Sequence, residues 1–133
     1  MITANIRELV KYRIEQADES LEAARLLHGK GLERPSLNRA YYAMFYAVLA
    51  LLATLKRETS KHSGAIALFD LEYVKPGIFS KDLSKWLHEA FEFRQRSDYT
   101  SGFQISSEEV EKVLENARSF VAEVKILLAK DLS

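Results

Sequence analysis

Twenty residues, Ser36 to Leu55, read SLNRAYYAMFYAVLALLATL without a glycine or a proline. The polar groups gather in the opening turn, and the rest is apolar on almost every side. Leu37, Tyr41, Met44, Val48, Leu51 and Leu55 recur at helical spacing, while Ala40, Phe45 and Leu52 widen the stripe. A helix that is hydrophobic nearly all round has to be covered by other elements. The run therefore predicts the central helix of a bundle, with Pro35 in its first turn.

The flanking segments supply the cover. Ile6, Val10, Ile14, Ala17, Leu21 and Ala24 follow threes and fours, predicting a first helix from Ile6 to about His28 that stops at Gly29 and Gly31. Thr59 or Ser60 can cap a short third helix, KHSGAIALFDLEYV, which Lys75-Pro76-Gly77 ends as a turn. Ser80 can cap a fourth helix, carried by Leu83, Trp86, Leu87, Ala90 and Phe91 and followed by a YTSGFQI loop. Ser106 and Glu109 have the spacing of a capping box, opening a fifth helix with a face of Val110, Val113, Leu114, Ala117, Val121, Val124 and Leu128. No run alternates with period two long enough for a sheet. The expected class is all-α: an up-and-down bundle of four long helices plus one short helix, forming one domain over residues 1–133.

Composition narrows the function. A chain of 133 residues can bury about two-thirds of its unfolded surface and needs no covalent staple. It has no cysteine, which removes disulfides and thiolate metal sites. The opening MITANIRELV lacks the pattern of a signal peptide, and the longest apolar run, near Ala47 to Ala53, is far short of the ~20 residues of a membrane span. The expected setting is the cytoplasm, with no membrane. The 19 basic and 19 acidic residues balance, so nucleic-acid binding would have to come from a local patch. No HExxH, P-loop or GxGxxG occurs, His28 and His88 stand singly, and no metal or cofactor is expected.

Three groups remain as candidate sites. Asn38, Tyr42 and Tyr46 share one face of the central helix, offset from its main stripe. They form either a polar and aromatic wall for a ligand, a second packing seam, or a homodimer surface, since tyrosine is enriched at interfaces. In RQRSDY, Arg94–Asp98 is an i, i+4 pair, and Glu92–Arg96 is another. On an exposed helix each pair is worth only ~0.3–0.5 kcal/mol. Arg94, however, falls near the apolar period of its helix, where a guanidinium needs a carboxylate or an anionic ligand such as phosphate. Ser60-Lys61-His62-Ser63-Gly64 opens the third helix and offers either surface capping or an anion site of free N–H groups, a lysine and a histidine. Gly64 would allow close helix packing.

Taken in order, the SLNRAYYAMFYAVLALL run, the KHSGAIALF run, and FEFRQRSDY followed by ISSEEVEKVLENARSFV resemble the HEPN family (higher eukaryotes and prokaryotes nucleotide-binding domain) over nearly the whole chain. That resemblance implies a helical bundle that pairs as a homodimer and works with a minimal nucleotidyltransferase as toxin and antitoxin. In active toxins of the family, an arginine followed after four to six residues by a histidine cleaves RNA without metal, across the dimer. Arg94 matches that arginine. Tyr99 stands where the histidine would be, and no histidine follows His88. The resemblance thus implies phosphate binding by Arg94, with Asn38 as a further polar anchor; on the RQRSDY run itself, Arg96 reads as another ligand contact and Asp98 as the carboxylate that holds Arg94. Tyr99 replaces the catalytic histidine as a hydrogen-bond donor. Three readings stay open: binding of RNA or a nucleotide in a dimer cleft, metal-independent RNA cleavage through Arg94 and Tyr99, and an interaction module built on Tyr42 and Tyr46.

Overall fold

The computed structural model describes residues 2–132, which form helices and connecting turns with no strand among them. Helix α1 spans Ala4–Gly29, α2 Glu33–Thr54, α3 His62–Phe69, α4 Lys81–Tyr99 and α5 Ser107–Leu132. The architecture is all-α, with α2 at its centre: α1, α3, α4 and α5 all pack on it. Thirteen of its residues are buried, including Tyr41, Met44, Leu51 and Leu52. The apolar run that reads as a central helix in the sequence is one.

The ends of the helices follow local chemistry. Thr3 caps α1 by accepting from the Ile6 N–H at 3.2 Å. The capping box before α5 is formed: Glu109 N–H donates to Ser106 Oγ at 3.1 Å, and Ser106 N–H donates to Glu109 Oε1 at 3.3 Å. Ser80 is the residue before α4, although its side chain makes no capping bond. Helix α4 extends through Tyr99, one residue into the segment expected as loop.

The short helix departs from expectation at both ends. Its first residue is His62, and the capping position belongs to Lys61 rather than Thr59 or Ser60. Thr59 Oγ1 instead accepts from the Lys61 N–H at 3.3 Å, which folds the side chain back on the loop. Gly64 makes room for it, since a Cβ there would lie 2.6 Å from Thr59 Oγ1. At the other end the helix widens into a π turn over Asp70–Val74. This turn buries Tyr73, whose O–H donates to the Leu51 carbonyl of α2 at 3.1 Å. Single π turns are rare, and the hydrophobic period does not announce them.

No helix among the described residues is long and apolar enough to cross a membrane.

Candidate functional site

Arg94 comes from the last two turns of α4, where the helix lies against α2. Its side chain is 18% exposed. The Nη2 group points at Tyr42 Oη, 3.4 Å away, and the guanidinium carbon lies 5.6 Å and 5.4 Å from the ring centres of Tyr41 and Tyr42. Asp98, one turn on, brings Oδ2 to 3.3 Å from Nε. That is ion-pair distance without hydrogen-bond alignment, and the buried Nε has no hydrogen-bond partner. A desolvated guanidinium gains from aromatic faces and one carboxylate, but its donors are not used up.

A second arginine completes this face. Arg39 lies 4.8 Å from the centre of the Tyr42 ring and donates through Nε and Nη2 to Asn38 Oδ1 at 3.1 and 3.0 Å. Arg34 Nη2 donates to the Ser97 carbonyl at 2.7 Å, fastening the start of α2 to the end of α4. Between these helices lies an open cleft of about 600 Å³, walled by Arg34, Asn38, Arg39 and Asp98. Two guanidiniums, an amide and a single carboxylate line it, with Arg94 paired to that carboxylate beside it, a set that suits an anionic ligand.

Behind Arg94 sits a feature of the inner wall. Tyr41, buried in α2, is 2.7 Å through Oη from His62 Nδ1 at the start of α3. The imidazole stacks on Phe45 with centroids 4.1 Å apart and planes within 5°. Burial raises the Tyr41 phenol well above its ordinary range, more than the Arg94 charge pulls it back, so it stays protonated. Burial, and then the positive Arg94, push His62 below its ordinary value and keep it neutral at pH 7. With no other acceptor among its described partners, the Tyr41 O–H donates to Nδ1, and the imidazole hydrogen rests on Nε2. No described side chain engages that nitrogen.

The HEPN domain pattern matches residues 10–127. The chain belongs to the HEPN family. Its relatives agree. A protein of Methanocaldococcus jannaschii named "Putative toxin" is 36% identical over 127 residues, 95% of this chain and 86% of the relative. A second protein of that organism with the same designation is 33% identical over 132 residues, 99% of this chain and 98% of its own. A UPF0332 protein of Thermotoga maritima is 35% identical over 121 residues, covering 91% and 92%.

Within this HEPN bundle the residues singled out from sequence separate into two sets. Arg94, Asp98, Asn38 and Tyr42 converge at the α2–α4 contact. Tyr46 follows one turn along α2, its ring centre 5.7 Å from that of Tyr42, at the edge of a smaller hollow shared with Gln16, Ser20 and Arg39. Arg96 and Tyr99 lie apart from them. The Arg96 guanidinium lies 5.2 Å from the centre of the Phe103 ring. Tyr99, in the last turn of α4, is 78% exposed. The cluster also recruits Tyr41, which reads as core, and His62, which reads as a capping or anion-site residue. Only the α2–α3 connection, folding back over Phe45, brings His62 to Tyr41. Among the described residues no group of three or more His, Cys, Asp or Glu is arranged to hold a metal.

Proposed function

We propose that this chain is the toxin-type member of a two-protein toxin–antitoxin pair, that it works as a homodimer, and that it binds an RNA phosphodiester in a cleft built around Arg94. One observation carries the reading: a mostly desolvated guanidinium, held by Tyr41, Tyr42 and Asp98, sits next to an open cleft that Asp98 shares with Arg34, Arg39 and Asn38. Preorganised donors in a partly dry site bind phosphate oxygens better than solvated ones do. The toxin names of the relatives favour the same reading. The proposed antitoxin is a nucleotidyltransferase. Tyr42 and Tyr46 present aromatic surface for the second copy, and Tyr99 and Arg96, exposed and apart from the cluster, are open to a bound strand or the partner.

His62 favours a second reading, metal-independent cleavage. An imidazole linked through Tyr41 to the arginine pocket would supply the proton-transfer group that RQRSDY lacks.

The test is purified protein with RNA in EDTA, wild type beside Arg94→Ala, scored for both binding and cleavage. Binding lost in Arg94→Ala with the helical fold intact supports the site. Equal binding by both proteins would sink it. Cleavage by the wild type alone would select the second reading.

A further inference from the structure

Helices α1 and α2 both end in the same hydrogen-bonded cap. After α1, the Leu32 N–H reaches back to the Leu27 carbonyl and the Gly31 N–H to that of His28. After α2, the Arg57 N–H reaches Leu52 and the Lys56 N–H reaches Ala53. The residue that turns the chain must take a left-handed conformation, which favours glycine. Gly31 does so with φ 74°, but at the end of α2 the position is held by Lys56, with φ 57°. Of the described residues with positive φ it alone is not glycine. A side chain there strains the backbone, so the lysine has to be explained by what it reaches.

What it reaches is a groove of about 770 Å³ between α1, the second half of α2 and the α2–α3 connection. One wall is apolar, from Ile6, Leu9 and Leu49. The rim carries Arg13, Lys56 and Arg57 against a single carboxylate, Glu58, in a chain with no net charge. Arg57 is shared with Glu72 at 3.4 Å and Arg13 donates to Gln16 at 2.9 Å, whereas Lys56 has no described ion partner. His62 lines the same groove, and it is also the residue joined through Tyr41 to Arg94.

We infer that this groove carries single-stranded RNA onward from the Arg94 cleft, with Lys56 and Arg13 on its phosphates, the His62 Nε2–H on the phosphate nearest Arg94, and a base against the Ile6–Leu9–Leu49 wall. The inference rests on the proposed RNA-binding function and extends its footprint from α4 across α2 to the α2–α3 connection. Charge complementarity selects the occupant: three cations beside an apolar wall fit a polyanion with flat apolar bases, a single strand rather than a duplex.

The test uses full-length protein in EDTA and a fluorescent single-stranded 2′-O-methyl RNA, which binds without being cleaved. Anisotropy is read for wild type, Lys56→Gly, Lys56→Gln, Lys56→Arg and Arg94→Ala, with a melting curve for each. Lys56→Gly should raise Tm by about 2–4 °C by removing the strained side chain. It should also weaken binding several-fold and lower the salt slope by about 0.7. Lys56→Gln, which keeps the strain and drops the charge, should lose the same affinity with no gain in Tm, and Lys56→Arg should keep the affinity. Unchanged affinity in Lys56→Gly and Lys56→Gln, alongside lost affinity in Arg94→Ala, would overturn the groove and leave the Arg94 site standing. No binding by the wild type, or binding untouched by Arg94→Ala, would overturn the proposed function and the groove with it.

Discussion

Tyr41 Oη and His62 Nδ1, 2.7 Å apart, link a core residue to a charged site, and the link has a pH signature. The groups facing the imidazole are Tyr41 and Tyr42 from α2 and Arg94 from α4. Arg13 of α1 lines the groove beyond it, with Lys56, Arg57 and Glu58 of the connection. Burial and Arg94 hold the folded-state pKa below the ordinary 6.5, so between those two values the unfolded chain binds more protons than the folded one. The contribution is therefore complete above pH 6.5 and is lost as pH falls through the lowered value. Urea midpoints measured from pH 7.5 to pH 5 should drop for the wild type more steeply than for His62→Gln, whose amide cannot titrate. The ion pairs of His28 with Glu33 and His88 with Asp70 are common to both proteins and cancel in the difference. Parallel profiles would show that His62 is solvated like an ordinary surface histidine.

At the scale of elements, the box at the start of α5 is the best-formed cap in the chain, with Ser106 and Glu109 satisfying each other's N–H groups. Ser106→Ala should destabilise the fold by about 1 kcal/mol, read as a lower urea midpoint at unchanged m. A midpoint equal to wild type would mean that the tertiary packing of Val110 and Val113 fixes that helix end without the box. This cap was legible in sequence because a box is a spacing of three residues. The helices were legible for a similar reason: a stripe such as Leu37, Tyr41, Met44 and Val48 records burial within one element. The candidate site was legible only where it too was local. Arg94 and Asp98 are one turn apart, and Asn38 and Tyr42 share a helix face. The bond from Arg94 to Tyr42 joins residues 52 apart and that from Tyr41 to His62 joins residues 21 apart, and no periodicity encodes such distances. The π turn at Asp70–Val74 was illegible because its extra residue is set by docking Tyr73 onto Leu51, a contact between elements.

For the whole molecule, the balance of 19 cations and 19 anions sets how RNA can be held. A neutral chain has no long-range field to draw in a polyanion, so attraction must come from the cations of the cleft and groove at short range. Single-stranded binding falls with salt at a log–log slope of about −0.7 per neutralised phosphate. If Arg94, Arg39, Arg13 and Lys56 each neutralise one, the slope should be about −3, and affinity should fall roughly fifty-fold between 50 and 200 mM salt. Anisotropy titrations across that range decide it. A slope twice as steep would mean that cations spread over the bundle, Lys and Arg outside this face included, take part, and specificity for the Arg94 site would be lost. A flat slope would mean that phosphates are not the recognised groups and that the clustered guanidiniums serve a protein surface instead. The middle value is expected because Arg39 lines the cleft while Arg13 and Lys56 line the groove, and none of these three has an ion pair among the described residues.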